Sequence, residues 1–401
     1  MLTRLFLSIA LICTSYVKLC VESPSRDQTP EGWAHFFLTD PLTLYSRSAQ
    51  LIGEGPSQDL RTGQSVLEGM LEVNPASAER WFHLGGVFLE SGQLEKGKYC
   101  YTRAAELAPN MADTWLNLAN FYIDENQPLI ALPFLGRILQ SANWSEIVFN
   151  DFDGLNLSIR EIAEGGGLPE AEPSIAEAYF RHLLEDGDVV RLRDAWQWMK
   201  TRSPSDQLTQ SYVDFLVAKG LVSEAAAAWS FQLRKREPEF GTSTFIINGD
   251  FEREPEGTLF DWRIAQDPHV QVSRDNSVFR SGQSALRLEF DGKINSAYQG
   301  VSQRVFLPRG AYRFETFVRT AGITTDEGVG FRVLDARSSH QLLIETERLR
   351  GTTDWKKLGG KLIVDSPVRL VEIQVFRRPS WRFDSSIAGT VWIDQVPLKR
   401  E

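Results

Sequence analysis

Apolar positions recur at a helical spacing in the first half of the chain and alternate with polar positions in the second half. Trp81, Leu84 and Phe88 follow one another at intervals of three and four residues, which places them on one face of a helix. In residues 284–290, SALRLEF, apolar side chains alternate with charged ones, as they do in a half-buried strand. The order of these patterns predicts a multidomain α and β protein, in which an all-α solenoid precedes an antiparallel β-sandwich.

A period of 34 residues runs through the helical half. Six pairs of residues keep this spacing: Pro75 and Pro109, Trp81 and Trp115, Leu84 and Leu118, Phe88 and Tyr122, Tyr101 and Leu135, Ala104 and Ile138. One helical hairpin cannot bury its apolar face alone, so such a period predicts a stack of helical pairs. Gly85 and Ala119 are small at matching positions, where two neighbouring helices are expected to approach closely.

This pattern resembles the tetratricopeptide repeat, whose motif W-x2-L-G-x2-Y…A-x3-F…P has the same length and order. Gly97 departs from the family, which usually has alanine at that position. The predicted segments of the helical half are the repeats at 40–142 with the best copies at 78–111 and 112–141, an irregular connection at 143–172, and divergent repeats at 173–238.

Membership in this repeat family implies a concave groove that binds a partner protein or peptide. The groove residues would be polar side chains on the first helix of each pair: Arg80, His83, Asn117 and Asn120. The alternative for this half is a spacer with no partner of its own. In either case the periodic tryptophan and phenylalanine residues belong to the core.

The second half carries a series of short motifs separated by turn signals. They are NGDFE at 248–252, SGQSALRL at 281–288, VFLPRGAYRF at 305–314 and VWIDQVPL at 391–398. Their order resembles the jelly-roll carbohydrate-binding modules found beside cellulases and xylanases, within the wider galactose-binding-like group. We assign residues 241–401 to such a jelly-roll domain.

That second resemblance implies a glycan site and a structural calcium site. Sugar binding needs flat aromatic faces and planar polar side chains, and the candidates are Asn295, Tyr298, Gln299, Arg378, Trp381 and Phe383. The calcium ligands would be hard oxygen donors near the opening motif and in the closing strand: Asp250, Glu252 and Asp394. The alternative for these three is that they cap turns or pair with arginine side chains.

Residues 1–21 have the order of an export signal. Arg4 precedes an apolar run of 13 residues that ends before Lys18, the length of a signal-peptide core. A cleaved signal, an uncleaved membrane anchor and a buried N-terminal helix all stay open. Export is the expectation, which places the protein in the periplasm or outside the cell, with residues 5–21 as the candidate membrane anchor. Only Cys100 lies beyond this segment, so no intramolecular disulfide framework is expected.

Charge and motif content argue against nucleic-acid binding and against catalysis. The chain has a formal charge of −10, and residues 239–401 hold 23 basic and 22 acidic side chains, which leaves the acidity in the helical half. Neither half offers a field that attracts phosphate backbones. The five histidines are dispersed, and no nucleophile, metal or phosphate-binding motif occurs. Glu345 and Glu347 would share one face of a strand, but surface carboxylates there are common.

The sequence therefore indicates an exported bacterial protein that is not an enzyme. The hypothesis is a scaffold whose helical half holds a partner protein and whose jelly-roll half binds glycan, in cell-envelope polysaccharide assembly. One alternative is a pure protein scaffold whose sandwich has no affinity for sugar. A third, with less support, is the accessory chain of a glycosidase.

Overall fold

A computed structural model describes the chain at residues 57–140, 144–168, 172–237, 240–241, 243–258, 261–337, 341–383 and 385–401. The predicted leader at 1–21 and the start of the first predicted repeat lie outside these ranges. The chain divides into two compact units, Met1–Arg202 and Ser203–Glu401. Within the described ranges, no helix combines the length and the apolar character that crossing a membrane requires.

The first unit consists of helices. They are α1 Ser57–Val73, α2 Ala78–Glu90, α3 Leu94–Leu107, α4 Ala112–Asp124, α5 Pro128–Ile138, α6 Ser145–Gly154, α7 Ile159–Glu164, α8 Pro173–Asp186 and α9 Val189–Lys200. Each helix from α1 to α5 packs against the next one in the chain. Leu67, Leu84, Val87 and Phe88 are buried in one apolar cluster together with Cys100. The tryptophans and phenylalanines of the period thus face neighbouring helices.

The 34-residue period returns in the structure as repeated contacts. The indole N–H of Trp81 donates to the carbonyl of Pro75 at 2.8 Å, and that of Trp115 donates to the carbonyl of Pro109 at 2.9 Å. Because the two tryptophans make the same hydrogen bond one period apart, the first helix of each pair begins with the same local conformation. The predicted helical pairs are confirmed at this level.

The turns inside the two pairs are also equivalent. Gly92 and Asn126, one period apart, both have a positive φ, of 76° and 56°. The following amides of Gln93 and Gln127 donate back to the first helix of their pair, each at 2.8 Å. A left-handed residue followed by such a bond ends a helix, and glycine and asparagine are the residues that tolerate it.

Gly97 is explained by the close approach of α2 and α3. A Cβ on Gly97 would lie 2.5 Å from Cδ2 of Leu89, and one on Gly85 would lie 2.5 Å from Cδ1 of Tyr101. The alanine usual in the repeat family does not fit here without a shift of the neighbouring leucine. Glycine in place of the family's usual alanine at position 97 therefore reflects the close contact between α2 and α3.

The segment expected to be irregular, 143–172, contains two helices, α6 and α7, so that expectation was wrong. Ser158 caps α7 in a capping box, in which its hydroxyl accepts from the Glu161 amide and the Glu161 carboxylate accepts from the Ser158 amide. Apolar side chains of α6, including Phe149 and Phe152, are buried. Gly165, Gly166 and Gly167 follow the end of α7. A Cβ on Gly136 of α5 would lie 2.0 Å from the Gly166 carbonyl. Gly166 has a positive φ of 87°, and a Cβ on Gly165 would lie 2.3 Å from Cδ1 of Leu132, so this helix end requires glycine.

The second unit begins with α10 Asp206–Ala218 and α11 Val222–Arg236 and continues as strands. They are β1 Arg263–Ile264, β2 Val270–Asp275, β3 Ala285–Asp291, β4 Tyr298–Ile323, β5 Gly330–Asp335, β6 Leu342–Glu345, β7 Gly351–Arg377, β8 Ala388–Asp394 and β9 Leu398–Arg400. All described strand pairs are antiparallel. The chain is thus a multidomain α and β protein with a β-sandwich after its helices.

The long strands β4 and β7 take part in both layers of the sandwich. Their shared ladder shifts register between Pro308 and Gly310. The first layer contains β1, the first part of β4, the last part of β7, β5 and β6. The second layer contains β2, β3, β8 and β9 with the remaining parts of β4 and β7. Side chains such as Val301, Phe314 and Ile373 fill the core between them.

Helix α11 packs on the outer side of the first layer. Phe306 follows Val305, which is in the core, so strand alternation turns its ring outward. Phe306 is nevertheless only 4% exposed, because the Trp229 ring of α11 lies against it at 5.5 Å between centroids. Helices α10 and α11 accordingly belong to the same compact unit as the strands.

Candidate glycan-binding loop

Two aromatic side chains stand out from the surface after β7. Trp381 is 98% exposed and Phe383 is 108% exposed relative to an extended reference. Both lie on residues 378–383, which we call the aromatic loop. Burial is the usual fate of a tryptophan, so two wholly exposed rings two residues apart make this loop the candidate binding surface.

The loop that carries these rings is held firmly at Ser380. The backbone amide of Ser380 donates to Oδ1 of Asn295 at 2.9 Å, and Nδ2 of Asn295 donates to the Ser380 carbonyl at 2.8 Å. The Ser380 hydroxyl donates to Asp326 at 2.5 Å, and Arg382 pairs with the same carboxylate at 3.0 Å. The hydroxyl bond is the main reason that the pKa of Asp326 lies below its usual range. The carboxylate therefore stays charged and holds the loop in place.

Arg377 anchors the start of the loop from inside the protein. It is 2% exposed, and its guanidinium donates to Oδ1 of Asn295 at 3.1 Å and to the carbonyls of Ser385 at 3.0 Å and Glu327 at 3.3 Å. It also donates to the carbonyl of Ser296. Burial lowers the pKa of Arg377, but arginine remains charged at any physiological pH. The fork of donors thus ties three other segments to the end of β7, where the loop with the two exposed rings begins.

A polar network adjoins the loop on the outer side of the first layer. Arg332 donates to the side-chain oxygens of Gln374 at 2.8 Å and Gln299 at 2.6 Å. Its guanidinium lies 5.5 Å from the centre of the Phe376 ring, and that of Arg378 lies 5.9 Å from the same ring. Gln374 and Phe376 are buried, so Gln299 and Arg378 are the exposed groups of this network that a ligand could reach.

The six predicted sugar-binding residues have different positions in the structure. Trp381 and Phe383 are exposed, as are Gln299 and Arg378, and the Arg378 guanidinium pairs with Glu345 at 2.5 Å. Asn295 uses its side-chain amide to hold the loop at Ser380 and Arg377, so its role is to position the loop.

Tyr298 is a core residue, so the prediction that its ring stacks against a sugar is wrong. It is 3% exposed and packs edge-on against Phe290, at 5.6 Å between ring centres. Burial raises the pKa of its hydroxyl. The reason is strand alternation: β4 starts at this residue, so Gln299 points outward and Tyr298 inward.

Three residues near this site were missed by the sequence analysis: Arg332, Gln374 and Phe376. Gln374 and Phe376 alternate with Ile373 and Val375, and the latter two are core residues. That alternation was visible in the sequence and would have placed Gln374 and Phe376 together on the outer face. Nothing in the sequence indicated that Arg332 pairs with them, because that contact depends on the register between β5 and β7.

The residues proposed to bind calcium hold a loop by hydrogen bonds. Oδ2 of Asp394 accepts from the amides of residues 280 and 281 at 2.8 and 2.9 Å. Oε1 of Glu252 accepts from the amides of residues 283 and 284 at 2.8 and 3.2 Å. Asp250 is exposed, and its carboxylate lies 3.5 Å from the Glu252 amide. Burial raises the pKa of Asp394, and the charge of Glu252 contributes.

The hydrogen bonds at this site are those of turn caps, and a calcium ion would have to displace them. Calcium takes six to eight oxygen ligands. Here the carboxylate oxygens of Asp394 and Glu252 face N–H donors. Across the described ranges, no group of three or more histidine, cysteine, aspartate or glutamate side chains is placed to hold a metal. The alternative that these residues cap turns accounts for the contacts of Asp394 and Glu252.

The predicted groove residues of the helical half lie on α2 and α4. Arg80 donates to the carbonyl of Met70 at 2.9 Å, and Nδ2 of Asn117 donates to the carbonyl of Asp113 at 2.7 Å. Burial lowers the pKa of His83. Asn120 is exposed. His83 and Asn117 occupy equivalent positions, one period apart, on the first helix of their pairs.

Comparison with known proteins gives matches among solved structures alone. No family model matches the chain, and no curated protein matches it. A family 61 carbohydrate-binding module in complex with β-1,4-galactotriose is 21% identical and covers 39% of this chain and 99% of its own, with a TM-score of 0.27. A putative sugar-binding protein from Bacteroides thetaiotaomicron is 12% identical and covers 39% and 100%, with a TM-score of 0.29.

A family 22 xylan-binding domain from Paenibacillus barcinonensis is 13% identical and covers 38% of this chain and 91% of its own, with a TM-score of 0.28. The matched region is the C-terminal part of the chain. Because their TM-scores are below 0.5, these similarities support no function for this chain. Any functional argument has to rest on the chain's own side chains.

Proposed function

We propose that the protein binds glycan through the aromatic loop. The observation that carries this proposal is the pair of wholly exposed rings, Trp381 and Phe383, on a loop that Asn295, Arg377 and Ser380 hold rigid. A flat apolar ring face matches the C–H face of a pyranose, and a preformed loop loses little conformational entropy on binding. Arg378 and Gln299 supply exposed polar groups for hydroxyls near the start of the loop.

The helical unit, in this proposal, is a tetratricopeptide-like solenoid that binds a partner protein. The repeated indole contacts of Trp81 and Trp115 and the equivalent turns at Gly92 and Asn126 support repeats of this kind. An open concavity of about 630 Å³ lies among α1, α2 and α3. Its walls include the exposed ring of Tyr99, so a partner has an apolar surface to cover there.

The proposed activity is binding without catalysis, after export. Glu345 and Glu347, the carboxylates considered for a glycosidase, pair with Arg378 and Lys356. Both carboxylates are therefore engaged in ion pairs with neighbouring side chains. The two units would then link a protein to a polysaccharide in the cell envelope, with export directed by residues 1–21.

A pure protein scaffold is the second candidate. The observation that favours it is the packing of Trp229 on Phe306, which closes part of the outer face of the first layer. A polymer could not lie along that part of the face. In this second case the exposed rings of the aromatic loop would contact a protein.

The test is a glycan panel screened with the full-length protein and two variants. Trp381→Ala removes the exposed ring and is expected to weaken saturable binding about tenfold, since a lost stacking contact contributes on the order of 1 kcal/mol. Ile363→Ala is the matched control, because Ile363 is also an exposed apolar residue, 73% exposed, but lies on the second layer. Equal binding by all three proteins would place the glycan outside the aromatic loop, and no glycan binding at all would favour the scaffold.

A further inference from the structure

A row of four side chains crosses the outer face of the second layer. Trp392 on β8 lies directly opposite Arg287 of β3 on one side and Arg319 of β4 on the other. Asp275 of β2 completes the row next to Arg287. Residues directly opposite one another in antiparallel strands have Cβ atoms about 5 Å apart, so the indole lies between two guanidinium groups. We call these four residues the second-layer row.

An open concavity of about 650 Å³ adjoins this row. Its walls are formed by Trp392, by strand residues and by the turn after β2: Arg274, Asp275, Asn276, Ser277, Val278 and Arg287. Phe279, the next residue of that turn, is 40% exposed. The concavity therefore combines aromatic and planar polar groups, in a part of the sandwich that the aromatic loop does not use.

The Trp392 ring is fixed in place before any ligand arrives. Its indole N–H donates to Oδ2 of Asp275 at 2.8 Å. Oδ1 of Asp275 accepts from the Ser277 amide at 2.8 Å, from the Ser277 hydroxyl at 2.5 Å and from the Val278 amide at 3.2 Å. Partial burial opposes ionisation, but the bonds from Ser277 and Trp392 prevail and lower the pKa of Asp275 to about 2. The carboxylate thus orients the indole at any physiological pH.

Arg319 is the cation of the row that is open to a ligand. Its side chain is 43% exposed, and its guanidinium lies 5.9 Å from the centre of the Trp392 ring. The nearest carboxylate, Asp354, is 4.0 Å away and 88% exposed, which makes a weak pair in water. Arg287, in contrast, is held by Glu289 at 2.7 Å. An incoming carboxylate can therefore replace Asp354 at Arg319 without leaving a buried charge unpaired.

We infer that the second-layer row is a second glycan site, which takes a pyranose that carries a carboxylate, that is, a hexuronic acid residue. The sugar ring stacks on Trp392, and its carboxylate pairs with Arg319 in the bidentate geometry that guanidinium groups favour. Hydroxyl groups face Asn276 and Arg287 at the edge of the concavity. This site is independent of the aromatic loop, which lies beyond the end of β7 in the first layer.

The test compares uronic acid oligomers with their neutral methyl esters on the full-length protein. Oligomers of galacturonic, guluronic and glucuronic acid provide the probes, and titration calorimetry gives the dissociation constants. At least one acidic oligomer is expected to bind about tenfold more tightly than its ester. Arg319→Gln should abolish that difference and keep the residual affinity, whereas Trp392→Thr should remove the binding of both forms.

Two controls separate this site from the aromatic loop. Trp381→Ala should leave uronate binding unchanged. If Trp381→Ala loses uronate binding and Trp392→Thr keeps it, the uronate binds at the aromatic loop and the second site is overturned. The half-exposed Arg319 can be replaced without disturbing the core, which keeps the test decisive if Trp392→Thr does not fold. Binding to no uronic acid oligomer, or equal binding of acid and ester, would contradict the inference.

Discussion

At the scale of single residues, the aromatic loop depends on a buried cation. Arg377 is 2% exposed and donates to four acceptors in three segments, among them Asn295 and the carbonyl of Ser385. Such a group is costly to desolvate and is retained when every donor has a partner. The exposed rings of Trp381 and Phe383 keep one geometry because this network fixes the loop beneath them.

Replacing Arg377 with leucine is therefore expected to destabilise the second unit. The loss leaves several buried carbonyl oxygens without donors, which costs about 2–4 kcal/mol of unfolding free energy. Urea denaturation followed by circular dichroism measures it. Arg382→Leu is the control, because the Arg382 side chain is 76% exposed and its pair with Asp326 contributes about 1 kcal/mol or less. Equal midpoints for the two variants would contradict the role of Arg377.

At the scale of elements, the sequence was sufficient where a pattern repeats. The period from Trp81 to Trp115 predicted the helical pairs, and strand alternation predicted the sandwich. The sequence was insufficient where contacts between residues far apart in the chain determine the packing. A Cβ on Gly136 would lie 2.0 Å from the Gly166 carbonyl, a contact between α5 and the end of α7 that no local pattern shows. Phe306 points outward in its strand, and it is buried by its contact with the Trp229 ring of α11.

The same limit applies to the candidate sites. Exposed aromatic residues such as Trp381 could be found from their loop setting. Tyr298 was misplaced because one residue of register decides which face of a strand it joins. The hydrogen bonds from loop 280–284 to Asp394 and Glu252 join segments far apart in the sequence, and no local pattern reveals them.

The contact between α2 and α3 gives a prediction at this scale. Gly97→Ala should destabilise the helical unit by about 1–3 kcal/mol, because the new methyl group would lie 2.5 Å from Cδ2 of Leu89. Thermal melting of the helical circular dichroism signal detects the change. Gly154→Ala is the matched control in a helix, since nothing lies within 4 Å of the new Cβ, and it should be neutral or slightly stabilising. A melting point for Gly97→Ala at or above that of the wild type would argue against the tight contact.

At the scale of the whole molecule, the chain combines helical repeats with a sandwich that has two aromatic surfaces. The sequence predicted this order of architectures. It did not predict that α10 and α11 share a compact unit with the strands, which begins at Ser203. Binding experiments are accordingly designed on the full-length protein, because a fragment starting at Gly241 would lack Trp229 and uncover Phe306.

The central claim is that the aromatic loop is a glycan-binding surface, and a double-mutant cycle on Trp381 and Phe383 tests it most directly. Dissociation constants for the best neutral glycan of the panel are measured for the wild type, the two single alanine variants and the double variant. Each single change is expected to weaken binding about tenfold, and the double variant should show no saturable binding in the millimolar range. A double variant that folds and binds the glycan as tightly as the wild type would contradict the claim.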